Sequence, residues 1–202
     1  MLLHGLGATA EVYGDMLALL PSGWPGGWLV VDLPGHGRSA WDAPYTFRGH
    51  AEAVFPLLPS GRDVVVVGHS MGGVVALELA TDPRVIGVVA FGVKVSWPPS
   101  DVAGAQRLAS RPVQYFATGG EAVSRYLRLA GLSDLVSPSD PSVSAGVVET
   151  AEGWRVAQGP GNVRGRGAGH GWSSGTRVLP GRAGAWRTRS DGQRRRSIDA
   201  RP

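Results

Sequence analysis

The sequence predicts an α/β protein with a doubly wound, mostly parallel sheet. Short β-branched apolar runs alternate along the chain with segments whose apolar residues recur at helical spacing. Each run has the length of a buried strand and is bounded by Gly, Asp or Pro, which is typical of strands covered on both faces. Strands that alternate with helices pair in parallel through right-handed crossovers. The helical patterns lie at 11–20, 47–58 and 72–80, and the strands at 28–33, 63–68 and 85–92.

Composition limits the chain to one domain and excludes several classes of site. The 202 residues, 43% of them hydrophobic, suffice for one domain with a sizeable core. Cysteine is absent, which excludes disulfides and thiolate metal sites. No apolar run approaches the roughly 20 residues needed to cross a bilayer, and the N-terminus lacks the pattern of a signal peptide. We therefore expect a cytoplasmic protein with no membrane contact and no cofactor.

The positive charge is confined to the end of the chain. Residues 1–158 hold nine Arg and one Lys against 14 acidic residues, a net charge of −4. Residues 159–202 hold ten Arg against two Asp, a net charge of +8. Such a tail could bind nucleic-acid phosphates, but it carries few interleaved aromatic residues and no repeated Arg-Gly-Gly, so nucleic acid is an unfavoured partner.

The most informative motif is Gly68-His69-Ser70-Met71-Gly72, a G-x-S-x-G pattern. It follows four valines and precedes a helical pattern, which is the strand-turn-helix context of a nucleophile elbow. Chance is the alternative in a chain with 31 glycines, but the flanking strand and helix favour the elbow. In such a turn the Ser70 hydroxyl projects outward, and the Met71 amide at the helix start points to where an oxyanion would form.

Three stretches, in order and spacing, resemble the α/β-hydrolase fold superfamily over residues 1 to about 158. They are "LLHGLGATAEVYGDML", "VVDLPGHGRSAWDAPYTF" and "VVVVGHSMGGVVALELATDPRVIGVVAFG". The resemblance implies a serine hydrolase that cleaves a small-molecule ester, or a related acyl or carbon-carbon bond, through a Ser70 acyl-enzyme. Serine at this position argues against the epoxide hydrolase and haloalkane dehalogenase branches.

The same resemblance assigns roles around the nucleophile. His4-Gly5-Leu6-Gly7 matches the H-G-x-G oxyanion loop, which makes the Leu6 N–H the second oxyanion donor beside that of Met71. His4 is then structural rather than a base. Gly5, Gly68, His69 and Gly72 complete the oxyanion loop and the elbow. His36 is expected to shape a turn, and His50 to lie at the surface or in packing.

The resemblance also divides the chain into three parts. Residues 1–99 form the hydrolase core, 100–152 a helical lid without strands, and 153–202 an aberrant, disordered tail. Apolar lid residues could line an acyl pocket or serve only lid packing; they are Tyr115, Phe116, Tyr126 and Leu127.

Two parts of the superfamily pattern are missing from this sequence. The chain begins in the strand that should end at His4, which implies a late start site or a truncation. After Gln158 the pattern should supply one strand that carries a catalytic acid, and then a final strand and a loop with the catalytic histidine. The tail shows no strand pattern for either. His170 follows glycine, as superfamily histidines often do, but no strand precedes it, so a chance histidine is the favoured interpretation.

Our preferred hypothesis for the tail is a reading-frame slip near Gln158. Arg, Gly, Ala and Pro together are what out-of-frame GC-rich coding sequence produces. Residues 180–192 can be back-translated so that the shifted frame encodes an apolar strand followed by an acidic loop. The base that Ser70 needs would then lie in the lost frame, which leaves an impaired hydrolase. The alternatives are a catalytically dead scaffold and the product of a damaged gene.

Overall fold

A five-stranded sheet forms the centre of the computed structural model, which describes residues 1–19, 26–41, 45–96, 98–100, 103, 111–159 and 176–177. Four of the strands run parallel in the order β2-β1-β3-β4. This arrangement confirms the predicted α/β class and the mostly parallel sheet. The strands are β1 (Leu2–Leu3), β2 (Val30–Val31), β3 (Val64–His69) and β4 (Val85–Phe91).

The predicted helices are present, with two corrections to their form. The pattern at 11–20 begins as a 3-10 helix, Ala10–Tyr13, and continues as α1, Gly14–Leu19. The pattern at 47–58 splits into α2, Phe47–Val54, and a 3-10 turn, Phe55–Leu57, because Pro56 cannot continue an α-helix. The third helix, α3, covers Met71–Leu79.

Alternating side chains of the strands bury both faces of the sheet. On one face Leu3, Val31 and Val66 pack with residues of α2 and α3. On the other face Leu2 and Val30 pack with Tyr13 and with Val67, which is partly buried. The sheet is therefore doubly wound, as the sequence predicts, and its strand ends can carry a site.

The sheet differs from the prediction at its β2 edge. Strand β2 is only two residues long, although the apolar run covers 28–33. A further strand, β7 (Thr176–Arg177), pairs with it in the antiparallel direction. The sequence predicted no strand in the tail. A strand of two residues is too short to give an alternating pattern, and it forms only because β2 lies beside it.

The segment predicted to be a lid contains the helix α4 (Gly119–Ala130), which has clear start and stop signals. The Thr118 hydroxyl accepts the Glu121 N–H at 3.3 Å, and the Glu121 carboxylate accepts the Thr118 N–H at 3.1 Å, a capping box. Gly131 ends the helix in the left-handed conformation, with φ 72°. The predicted helical stretch at 101–110 lies almost wholly outside the described residues.

A β-hairpin stands where the sequence indicated a helical lid and then a tail. A 3-10 helix, Pro141–Gly146, leads into β5 (Val147–Thr150), which pairs with β6 (Gly153–Val156). The predicted boundary at residue 153 therefore falls at the turn of this hairpin. The alternation of the hairpin is too short and too polar to stand out in the sequence.

The segment after β6 returns to the central sheet. Gly37 donates to the Ala157 carbonyl at 2.8 Å, and Gly159 donates to the Gly35 carbonyl at 2.7 Å. The first residues assigned to the tail are thus joined by backbone hydrogen bonds to the loop that follows β2.

Candidate active site

Ser70 lies at a sharp turn between β3 and α3. Its backbone adopts φ 50° and ψ −115°, a conformation that a residue with a side chain rarely takes. Its N–H donates to the Phe91 carbonyl at 2.9 Å, and its carbonyl accepts from Gly73 N–H at 3.0 Å. The hydroxyl makes no capping bond to the helix. The turn therefore has the strained geometry of a nucleophile elbow, and the Ser70 hydroxyl is not used to cap the helix.

The glycines on either side of Ser70 are required by close backbone contacts. A Cβ on Gly68 would stand 2.2 Å from the Gly72 carbonyl oxygen. A Cβ on Gly72 would stand 2.3 Å from the Leu3 carbonyl oxygen and 2.5 Å from that of His4. Only hydrogen fits at both positions, so α3 can start directly behind β3 and beneath the end of β1.

The loop after β1 lies beside the serine. Leu3 pairs with Gly68 in the parallel register of β1 and β3, which brings the carboxyl ends of the two strands together. A Cβ on Gly5 would stand 3.4 Å from the Ser70 Cβ and 2.8 Å from His69 Nδ1. The predicted oxyanion loop and the predicted elbow thus meet in space.

Two backbone N–H groups near this meeting point are candidates for oxyanion donors. Met71 is the first residue of α3, before the first intrahelical bonds of Gly73 and Val74, so its N–H belongs to the positive end of the helix. Leu6 follows Gly5 in the loop, and its side chain is 45% exposed. Leu6 lies in the loop after β1 and Met71 at the start of α3, so these two predicted oxyanion donors come from the two segments that meet at Gly5 and Ser70.

His4 is buried and uses both ring nitrogens in backbone hydrogen bonds. Its Nε2 accepts the Leu33 N–H at 3.0 Å, and its Nδ1 lies 2.8 Å from the Gly5 carbonyl oxygen. Burial lowers the pKa of the imidazole, so the ring is neutral near pH 7. With both nitrogens engaged, His4 has none left to take a proton from Ser70.

The other histidines of the described chain do not bond to Ser70 either. His36 and His50 are buried beside His4, and burial lowers the pKa of both, that of His50 to about 4. The prediction that His50 lies at the surface or in packing resolves to packing, since its ring stacks on Tyr45 at 5.7 Å. His69 is exposed and its ring contacts Phe91 at 5.1 Å.

His170, the candidate base in the tail, lies outside the described residues. Of the residues that the structure describes, none offers an imidazole hydrogen-bonded to the Ser70 hydroxyl. In the same part of the chain, no cluster of three or more His, Cys, Asp or Glu could hold a metal ion, and no helix could cross a membrane.

Asp32 is an important residue that the sequence analysis left without a role. Its buried carboxylate accepts the Ala10 N–H at 2.7 Å and the Arg38 N–H at 3.1 Å. It thereby ties the segment after the oxyanion loop to the loop after β2. The available signal was an acidic residue directly after a buried strand and before a Pro-Gly turn, a position where a carboxylate caps backbone N–H groups.

Helix α4 packs against the end of the predicted oxyanion loop and the residues that follow it. Thr9 Oγ1 lies 3.4 Å from the Tyr126 hydroxyl, and a Cβ on Gly7 would stand 3.1 Å from the Leu129 Cβ. Tyr126 and Leu127 are buried in a lid core with Val143, which favours packing over the acyl-pocket alternative for these two residues.

The remaining lid candidates are less buried. Tyr115 is 44% exposed, and Phe116 pairs through its backbone with Trp154. An open cavity of about 520 Å³ lies along Ser124, Leu127, Arg128 and residues 133–138, none of which belongs to the two loops around Ser70.

Curated relatives of the chain include esterases and a lipase. It is 40% identical over 79 residues to a pimeloyl-[acyl-carrier protein] methyl ester esterase of Neisseria meningitidis, covering 39% of this chain and 24% of that protein. It is 55% identical over 51 residues to lipase LipV of Mycobacterium tuberculosis, covering 24% and 20%. The matched part thus spans about a fifth to a quarter of these relatives.

The fold and the family are shown by two further comparisons. The thioesterase domain from the curacin biosynthetic pathway has the same fold, with a TM-score of 0.59 and 20% identity over 79% of this chain and 63% of that one. The model of the alpha/beta hydrolase family matches residues 1–196, beyond residue 158 where the resemblance in the sequence ended. The chain therefore belongs to the alpha/beta hydrolase family.

Proposed function

We propose that this protein descends from a serine hydrolase that cleaves esters or related acyl compounds through a Ser70 acyl-enzyme. The single observation that carries the proposal is the meeting of the strained Ser70 turn with the loop at Gly5. The Ser70 hydroxyl oxygen attacks the carbonyl carbon of a bound acyl compound. The alcohol or amine then leaves as the tetrahedral intermediate collapses. Water then attacks the acyl-enzyme and releases the acid.

The oxyanion of each tetrahedral intermediate is held by the N–H groups of Leu6 and Met71. Leu6 lies in the loop after β1 and Met71 at the helix start after β3, and the parallel pairing of these two strands supports the proposal that both donors serve one site. Such preorganised donors typically supply about 3 to 4 kcal/mol of transition-state stabilisation each.

An ester is the first substrate class to test. The curated relatives are named as a methyl ester esterase and as a lipase, and both names describe ester cleavage. The acid or alcohol part of the ester is set by the lid, whose described apolar residues largely pack on each other. A cytoplasmic location and a small-molecule substrate complete the proposal.

We further propose that the hydrolase activity of this chain is impaired. A serine hydrolase needs an imidazole base to accept the serine proton. Among the described histidines, both nitrogens of His4 are hydrogen-bonded to backbone, His36 and His50 are buried, and none has a hydrogen bond to the Ser70 hydroxyl. The same observations support the alternative of a catalytically dead scaffold, and the proposed reading-frame slip near Gln158 would account for either.

The experiment is hydrolysis of p-nitrophenyl acetate by the chain, by Ser70→Ala and by His170→Ala. Loss of the base in a serine hydrolase costs on the order of a million-fold in turnover. The chain should therefore hydrolyse the ester barely above background, and Ser70→Ala should change little. Robust hydrolysis that His170→Ala abolishes would make His170 the base and overturn the proposed impairment.

A further inference from the structure

The Gly5–Leu6 peptide is held from its carbonyl side by two donors. The Gly5 carbonyl oxygen lies 2.8 Å from His4 Nδ1 and accepts the Ala8 N–H at 3.2 Å. A trans peptide is planar, with its C=O and N–H pointing in opposite directions. Fixing the Gly5 carbonyl toward His4 and Ala8 therefore fixes the Leu6 N–H to point the other way.

The backbone of a neighbouring strand end determines which nitrogen of His4 carries the proton. The Leu33 N–H donates to His4 Nε2 at 3.0 Å, so Nε2 must present its lone pair. In a neutral imidazole the proton then sits on Nδ1, where it can be donated to the Gly5 carbonyl. The ring is fully buried, and burial lowers its pKa, which keeps it neutral beside Asp32, Glu11, His36 and His50.

We infer that His4 is a positioning residue for the oxyanion hole: the Leu33 amide sets its tautomer, and its Nδ1–H holds the Gly5 carbonyl so that the Leu6 N–H faces Ser70. The inference rests on the proposed function, because it assumes that the Leu6 amide serves an oxyanion. It goes further by giving His4 a directional role, which a merely space-filling histidine would not have.

Two variants separate the directional role from loss of packing. In His4→Asn the side-chain amide can take the place of Nδ1 and still donate to Gly5, but nothing replaces Nε2. In His4→Gln the amide oxygen can take the place of Nε2 and accept from Leu33, but nothing replaces Nδ1. Each variant therefore loses one buried hydrogen bond. In His4→Asn the lost bond is the one from Leu33, and in His4→Gln it is the one to Gly5.

The readout must not depend on a catalytic base, which the proposed function places outside this chain. Ser70→Cys provides it, because a thiol is partly ionised near neutral pH and is nucleophilic without a base. The chain has no other cysteine, so every thiol reaction reports on position 70. Acylation by p-nitrophenyl acetate passes through an oxyanion, whereas alkylation by iodoacetamide displaces iodide from a saturated carbon and forms none.

In the Ser70→Cys background, His4→Gln should slow acylation on the order of ten- to a hundredfold, while His4→Asn should stay within a few fold of the parent. Alkylation should be the same in all three proteins, which shows that the thiol remains accessible and equally ionised. Nitrogen-15 NMR of the parent chain should show His4 protonated on Nδ1 and bare on Nε2.

Each outcome has a defined meaning. Equal acylation rates in the Gln and Asn variants, or a proton on Nε2, would overturn the role of His4 and leave the proposed function standing. A different result would overturn both proposals. If the parent thiol, after correction for its alkylation rate, is acylated no faster than glutathione, then no oxyanion hole acts at position 70.

Discussion

Gly72→Ala probes the contact that joins the elbow to β1. The added Cβ would stand 2.3 Å from the Leu3 carbonyl oxygen, 2.5 Å from that of His4 and 2.6 Å from the Leu3 carbonyl carbon. Ordinary contact begins at 3.4 Å, so α3 and β1 must separate by about 1 Å. All three are backbone atoms at the end of β1 or directly after it, so they cannot rotate away as a side chain could. We therefore expect a loss of about 3 kcal/mol in the free energy of unfolding, at the upper end for an overpacked core.

The assay is urea and thermal unfolding, both followed by circular dichroism, with Gly120→Ala as the matched control. Gly120 lies in α4, and a Cβ there meets nothing within 4 Å. The control should be neutral or slightly more stable, because alanine favours the helix, while Gly72→Ala should melt roughly 10 °C lower. Equal midpoints for the two variants would mean that α3 does not start beneath β1, and the placement of Ser70 beside Gly5 would fail with it.

Three further predictions concern strain, acid stability and the lid. Ser70→Gly should raise the free energy of unfolding by about 1 kcal/mol, because glycine tolerates φ 50°, and Ser70→Ala, which keeps the Cβ, should not; equal values would refute the strain. Burial lowers the pKa of His50 from 6.5 to about 4. The contribution of this residue to the free energy of unfolding is therefore fully present above pH 6.5, and about 3 kcal/mol of it is lost as the pH falls from 6.5 toward 4. His50→Gln should flatten that part of the stability profile, and an unchanged slope would contradict it. Thr118→Ala should cost about 1 kcal/mol by removing the cap of α4, with Ser124→Ala on the exposed face as control.

The sequence predicted the part of the fold whose information is local. The valine run before Ser70 and the glycines around it are sufficient to place a strand, a tight turn and a helix in that order. The parallel sheet follows from the alternation of strands and helices, and the register of β1 with β3 brings the two glycine-rich loops together. The class, the family and the meeting of these loops were therefore within reach of the sequence.

The features that the sequence did not predict depend on contacts between distant residues. The hairpin of β5 and β6 is stabilised by pairing of Phe116 with Trp154 and by packing on α4, neither of which leaves a periodic pattern. The role of Asp32 arises because Ala10 and Arg38 approach it from opposite directions. The tautomer of His4 depends on Leu33, a residue in another strand-end loop.

The central proposal is that Ser70 is a correctly placed nucleophile and that this chain lacks the base it needs. It is tested most directly by deleting one nucleotide after the Gln158 codon, reading on through the natural downstream sequence, and comparing p-nitrophenyl acetate hydrolysis by the product with that by the 202-residue chain. The account predicts that the deletion restores hydrolysis by several orders of magnitude, that Ser70→Ala abolishes the restored rate, and that mass spectrometry finds the acetyl group on Ser70. No gain on restoring the frame, or a gain that survives Ser70→Ala, would contradict it.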